Sequence, residues 1–442
     1  MTAIQTRGIV EGFYGRPWST EQRLDILEFI AEVGMNTYVY SPKDDPFTRR
    51  RWREPYDTAA ADDLVELVRH ARAAGVTLSY GLSPGLSMRY AESGDVAAVH
   101  AKLDAVRGLG IDDVALFLDD IPWYLQHPGD IAAFPDLTTA QLSLIRSIEG
   151  RADGGGLIIC PTLYCGRGDE PYIAGLGAGL ADRSRLFWTG RAICSPELDA
   201  ADAEVFARAT GRRPLYWDNF PVNDVAMTGE LHIGPYLGRD PRLVDTSDGI
   251  IANPMPLAEA SKIGIAGVAD FCRDPGGFDA EASWEAAIAR VAGARDAAAV
   301  REFADAFRGS ALCTDDSPRL SEALDRFAFR YEFDDRAAAV AELRGELDRL
   351  VYVSRRMGAL DNGALAGEVA PWVEQYARGL EAVIAAVEGL DTSGMGGAPE
   401  LIGSTRDAVF ARLQGMRSTG LRAFGDRVDM FLSDLVGEFS SR

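Results

Sequence analysis

Two adjacent aspartates, Asp119 and Asp120, close an apolar run, DVALFLDD (113–120). Carboxylates placed side by side at the end of a buried strand repel unless one is held neutral. Acids whose proton affinities are pushed apart are what acid/base cleavage of a glycosidic bond requires. Their adjacency is the difficulty, because neighbouring side chains of a strand point to opposite faces. In the usual retaining arrangement the two carboxyls stand about 5–5.5 Å apart across the scissile bond and come from different elements. Neighbours could both act from one side if the substrate supplied its own nucleophile, as a 2-acetamido oxygen can.

Other apolar runs end in groups of the same kind. GIVEGF is followed by Tyr14 and a second glycine, which puts Gly12, Phe13 and Tyr14 at its end. NTYVYS leads into Lys43, Asp44 and Asp45, and LIICPTLY holds Cys160 and Tyr164. RLFWTG ends in a Trp-Thr-Gly, WDNFPVND carries Trp217, Asp218, Asn219 and Asp224, and GIIANP ends at Asn253. Aromatics, amides and carboxylates together suit a sugar, which offers hydroxyls to bond and a C–H face to stack. Each residue also has a plainer reading. Lys43 could pair with Asp44 or Asp45, although lysine is otherwise confined to Lys102 and Lys262 in this arginine-rich chain. Tyr164 and Trp217 could be core aromatics, Asp218 reads as structural, and Arg16, Pro17 and Trp18 read as turn and packing residues. Cys160 reads as a packing wall, since no histidine lies near it in sequence to activate a thiol. His70, His100, His127 and His232 all lie away from these ends. That disfavours a metal-dependent barrel hydrolase, which needs imidazole ligands there, so neither metal nor cofactor is expected.

The elements that must position these groups follow from the periodicity. Eight short apolar runs alternate with amphipathic helical stretches from Gly8 to about Asp270. TEQRLDILEFIAEVG is one such stretch, with Thr20 as its expected N-cap and Gly34 as its C-cap. Eight such units predict a (β/α)8 TIM barrel, in which catalytic groups stand at the C-terminal strand ends. An open doubly wound sheet is the rival, disfavoured because no GxGxxG follows a strand. Beyond about residue 275 only helical spacing remains, and a Gly-rich break, DTSGMGGAP, precedes a last helical stretch from Pro399 to Ser440. The expected division is a catalytic barrel over 1–275 and an all-α helical bundle over 276–442, with the break as an inter-helix loop.

A chain of 442 residues exceeds the size at which single cores stop growing, about 250–300 residues, which agrees with two domains. The net charge of −22 argues against nucleic-acid and anionic-membrane partners. Five scattered cysteines, odd in number and without CxxC spacing, read as reduced thiols. With no leader-like or membrane-spanning run, the expected location is cytoplasmic.

The motifs GIVEGFYGRPWS, YSPKDD, LFLDDI, CPTLYCG, FWTG, WDNFPVND and ANP occur in this order at strand ends. Over roughly residues 7–270 the chain thereby resembles glycoside hydrolase family 84. These are β-N-acetylglucosaminidases, including the O-GlcNAcases and bacterial enzymes called hyaluronidases. The resemblance implies a retaining enzyme that releases terminal β-linked N-acetylglucosamine by substrate-assisted catalysis through an oxazoline. It implies that Asp119 orients the acetamide, Asp120 is the general acid/base, and Tyr164 bonds the acetamide carbonyl. Cys160 and Trp217 would wall the acetyl pocket. Gly12 (through its carbonyl), Lys43, Asn219, Asp224 and Asn253 would bind sugar hydroxyls or stand beside the acids. Leu163 departs from the acidic residue of the animal enzymes, which bears on the aglycon. A catalytically silent glycan-binding barrel and an endo-acting hyaluronidase stay open as alternatives. The implied partner is a glycan or glycoprotein bearing N-acetylglucosamine, and self-association as a homodimer stays open.

Overall fold

Eight parallel strands close into a barrel in sequence order. They are β1 (Thr6–Glu11), β2 (Thr37–Tyr40), β3 (Thr77–Leu82), β4 (Asp113–Phe117), β5 (Ile158–Cys160), β6 (Arg185–Trp188), β7 (Leu215–Asp218) and β8 (Gly249–Ala252). Closure is made by β8 pairing with β1, from Thr6 opposite Gly249 to Ile9 opposite Ala252. The computed structural model describes residues 3–151, 156–315, 317–394 and 399–441. Seven of the eight strands fall inside the apolar runs read from the sequence, and β1 begins two residues before its run, at Thr6, so the TIM barrel stands.

Alternation along the strands sorts the side chains. Val10, Val39, Ala115, Phe117, Ile158, Cys160, Phe187, Leu215, Trp217 and Ile251 form one buried cluster, the packed interior expected of such a barrel. The intervening helices are set by caps. Ser19 Oγ accepts from Gln22 N at 3.2 Å while Gln22 Oε1 accepts from Ser19 N at 2.9 Å. This reciprocal capping box starts the helix Thr20–Glu32 one residue earlier in capping than the Thr20 expected. Asp57 caps the helix Thr58–Ala74 by accepting from Ala60 N at 2.9 Å, and Gly75, at φ +70°, ends it.

The chain divides into two compact units. The first comprises 1–224, 236–258 and 265–283, and holds the barrel. The second comprises 225–235, 259–264 and 284–442 and is helical. Its helices include Pro318–Phe333, Arg336–Met357, Gly363–Gly394, Pro399–Arg417 and Arg427–Ser441, each packed on the next. Residues 395–398 of the Gly-rich break lie outside the described residues. The last stretch, expected as one helix, is two. Gly420, Phe424 and Gly425 adopt positive φ, which a continuing right-handed helix does not allow. The turn so formed stacks Phe424 on Tyr376 with ring centroids 4.6 Å apart. Among the described residues no helix is long and apolar enough to cross a membrane.

Candidate active site

The acid pair sits just past the end of β4. Leu118 N still donates to Cys160 O at 2.8 Å, so the chain stays tied to β5 up to that point. Asp120 then takes φ +54°, a left-handed conformation that aspartate tolerates better than most residues. Strand alternation therefore no longer applies across the pair. Both carboxylates meet the same ammonium: Lys43 Nζ bonds Asp119 Oδ2 and lies 3.4 Å from Asp120 Oδ2. Lys43 is 5% exposed and ignores its sequence neighbours. Asp44 is exposed, while Asp45 Oδ2 accepts from the Tyr40 and Tyr56 hydroxyls at 2.8 and 2.9 Å.

Asp120 is further held by two phenols. Tyr14 Oη donates to its Oδ2 at 2.6 Å and Tyr164 Oη to its Oδ1 at 3.1 Å. Burial alone raises this carboxyl, but the Lys43 charge and then the Tyr14 and Tyr164 hydrogen bonds outweigh it, and the Asp120 pKa lies below its ordinary value. Burial likewise opposes the Lys43 charge, and Asp119 followed by Asp120 reverses the effect, so that the Lys43 pKa stands above normal. Repulsion within the pair was expected to leave an acid with raised affinity for its proton. Lys43, placed between the two, answers that repulsion instead. Asp119 is buried, and its Oδ1 has no hydrogen-bond partner among the described residues.

The wall beside the acids is built from the barrel interior. Trp217 on β7 packs against Phe117 and Phe187, each with ring centroids 5.3 Å away, and its face lies 5.8 Å from Lys43 Nζ. Cys160 belongs to the same cluster as Trp217, with Tyr164 packed against it. Burial first, then Asp119, raises the Cys160 thiol, which suits a wall and not a nucleophile. Trp217 Nε1 donates to Asn219 Oδ1 at 2.8 Å, and Asn253 Nδ2 donates to the same oxygen at 2.9 Å. Asn219 Nδ2 in turn donates to Ile193 O at 2.7 Å. Gly12 is the residue that lets Trp217 stand here, since a Cβ at this position would lie 2.5 Å from Trp217 Cζ2. Asp224 Oδ2 accepts from Tyr14 N at 2.7 Å, and burial raises its carboxyl.

All ten residues singled out from the sequence thus lie in one connected cluster. Asp218 faces the other way from Trp217, as strand alternation requires, and is clasped by Tyr236 Oη at 2.6 Å and Arg239 Nε at 3.0 Å. The sequence reading missed three contributors. Glu11 is fully buried and gathers Arg23, Tyr38 Oη at 2.7 Å and Trp18 N at 3.2 Å, which anchors the loop after β1. Its signal was available, since an acid inside an otherwise apolar strand demands a partner. Tyr14, placed at a strand end by the sequence but given no role beside the acids, touches Asp120 directly. Arg49, whose Nη1 donates to Tyr14 Oη at 2.8 Å, sits in a run of three arginines that reads as a solvated face.

Comparison with known proteins follows the same outline. Residues 7–305 match the family model described as beta-N-acetylglucosaminidase. Protein O-GlcNAcase of Rattus norvegicus and that of Mus musculus are each 34% identical over 265 residues, 58% of this chain and 29% of theirs. The chain thus spans less than a third of the length of those relatives. A mutant form of the Thermobaculum terrenum O-GlcNAc hydrolase matches with a TM-score of 0.95 and 29% identity, over 99% of this chain and 96% of that one. CpGH84B matches with a TM-score of 0.86 and 25% identity, over 98% of this chain and 77% of that one. Because the family model takes in well over half of the sequence, barrel and strand-end motifs included, this chain belongs to the β-N-acetylglucosaminidases of glycoside hydrolase family 84.

Proposed function

We propose that this chain is a retaining β-N-acetylglucosaminidase that releases terminal β-linked N-acetylglucosamine with the substrate's own acetamide as nucleophile. One observation carries the reading: two adjacent carboxylates converge on one ammonium from the same side, and the buried Asp119 Oδ1 has no partner among the described residues. An acceptor so placed suits an amide N–H. Asp119 takes the acetamide N–H and turns its carbonyl oxygen toward the anomeric carbon. As that oxygen bonds to the carbon, Asp120 gives its proton to the departing glycosidic oxygen, and an oxazoline forms. Asp120 then takes a proton from water as water opens the ring, and configuration is retained.

Tyr164 links binding to protonation. Its hydroxyl has a single O–H, which donates a hydrogen bond to Asp120 Oδ1 in the free protein. Once that O–H donates to the acetamide carbonyl instead, Asp120 loses one of the donors that favour its charged form, and its proton affinity rises when an acid is needed. Cys160 and Trp217 close around the acetyl methyl. Lys43, Asn219, Asp224, Asn253 and the Gly12 carbonyl serve the sugar hydroxyls or the acids. The relatives named for O-GlcNAc favour a GlcNAc-bearing protein as substrate, and the five free cysteines suit a cytoplasmic setting.

A leaving-group series of aryl N-acetylglucosaminides tests the roles. Asp120→Asn should slow poor leaving groups by about 10²–10⁴-fold and spare acidic phenols at the first step, whereas Asp119→Asn should slow both alike. Equal losses across the leaving-group series for Asp120→Asn refute the assignment, and no hydrolysis by the wild type would leave a silent glycan binder. A second reading draws on Asp224, a third carboxylate in the field of Asp120. A glycosyl adduct trapped on Asp224 and seen by mass spectrometry would favour that covalent route.

A further inference from the structure

The loop after β1 supplies more than a turn. Tyr14 Oη stands between Arg49 Nη1 at 2.8 Å and Asp120 Oδ2 at 2.6 Å. A guanidinium has donors only, so Tyr14 must accept from Arg49, and its own proton is left to point at Asp120. The ring is clamped as well as the hydroxyl: Arg49 Cζ lies 5.3 Å and Lys43 Nζ 5.6 Å from its centroid. Its backbone N–H is spent on Asp224 Oδ2. Tyr14 is therefore fixed at its backbone, its ring and its hydroxyl.

We propose that Tyr14, oriented by Arg49, is a positioning residue that locks one oxygen of Asp120 and so decides which oxygen carries the catalytic proton. The inference rests on the reading of Asp120 as the general acid/base. With Oδ2 occupied by Tyr14 and approached by Lys43, Oδ1 is the oxygen left to bear the proton and meet the glycosidic oxygen. Tyr164 is its partner until the acetamide claims that phenol. The groups facing Asp120 are Tyr14 after β1, Lys43 and Arg49 after β2, Asp119 beside it, Cys160 and Tyr164 at and after β5, and Asp224 after β7. Of these only Tyr14 has its hydroxyl orientation imposed by a second, purely donating side chain among the described residues.

The experiment is a pH profile of kcat/KM on an aryl substrate whose poor leaving group needs the Asp120 proton, joined to a substrate-free ¹³C titration of labelled aspartate carboxyls. Asp120→Asn identifies both the limb and the resonance that belong to Asp120. Removing the Tyr14 donor disfavours the carboxylate, so Tyr14→Phe should move that limb and that resonance to higher pH by about one unit. Arg49→Met should move them the same way by less, and Tyr14→Phe/Arg49→Met no further than Tyr14→Phe alone. An unmoved limb and resonance in Tyr14→Phe overturn the proposal. So does an Arg49→Met shift that persists undiminished without the Tyr14 hydroxyl, because Arg49 would then act through its field and not through Tyr14. If Asp120→Asn removes no limb, the general-acid reading itself fails, which the same data distinguish. The titration needs folded protein but no turnover, so an inactive variant still decides the matter.

Discussion

Replacing Gly12 by alanine adds a single methyl group where the barrel interior has no room for it. The new Cβ would lie 2.5 and 2.6 Å from Trp217 Cζ2 and Cη2, and 3.2 Å from Val10 Cγ2. Ordinary carbon contacts lie near 3.5–4.0 Å, so the indole or the backbone must yield by about 1 Å. The indole is poorly placed to do so, being 5% exposed, packed between Phe117 and Phe187, and hydrogen-bonded to Asn219. Overpacking of this kind costs about 1–3 kcal/mol, to be read from urea unfolding. Function should suffer more than stability, because the displaced ring borders the acids, and a 1 Å misplacement can cost about 10²-fold in rate. The assay pairs urea midpoints with kcat/KM for an aryl N-acetylglucosaminide and with affinity for a thiazoline mimic of the oxazoline. Trimming the indole by Trp217→Phe in the Gly12→Ala background should restore part of the stability, a coupling that separate substitutions lack. Unchanged stability and inhibitor affinity in Gly12→Ala would refute the tight seating of Trp217 over Gly12.

Three further outcomes follow. Lys43→Met leaves buried carboxylates without their cation and should cost about 3–5 kcal/mol at neutral pH. The raised Lys43 pKa gives stability that is full below the ordinary lysine range and lost as pH rises through the folded value, while the lowered Asp120 pKa gives stability lost as pH falls through its folded value. Unfolding curves at pH 7 and at pH 2.5, below the ordinary aspartate range, should therefore show the Lys43→Met deficit shrinking in acid, and an undiminished deficit would contradict this. Asp218→Asn strands the buried Arg239 guanidinium and should lower the urea midpoint strongly while the leaving-group dependence of the folded fraction keeps its wild-type slope. Asp120→Asn should keep the wild-type fold by circular dichroism, since asparagine also tolerates the left-handed backbone at this position, whereas Asp120→Val should lower Tm because a β-branched residue does not.

What could be read in advance divides along physical lines. Apolar runs such as DVALF and RLFW carry their own evidence, because a parallel barrel strand is buried on both faces, and eight of them with helices between leave few architectures. The identity of the strand-end residues was equally legible, since carboxylates, amides and a lysine after apolar runs have little packing reason to be there. Asp120 shows the limit. Alternation places it opposite Asp119, and only a positive φ, which no residue type announces in an Asp-Asp pair, brings both to Lys43. The same holds for Gly12, whose need arises from an indole about two hundred residues away in the chain. Arg49 was hidden among Arg50 and Arg51, and only its phenol partner distinguishes it. The split of the final helical stretch at 418–426 depends on turn geometry around Gly420 and Gly425 that the surrounding helical spacing masks.

The central claim is that the acetamide of the substrate does the work of a nucleophile while Asp119 and Asp120 act from one side. The direct measurement is kcat/KM for aryl N-acetylglucosaminides whose acetyl methyl carries none, one, two or three fluorines, with a single leaving group throughout. Each fluorine withdraws electron density from the carbonyl oxygen, so the account predicts a stepwise fall across the series, with retained configuration in the first-formed product by NMR. A rate independent of fluorination, or an inverted product, would contradict it.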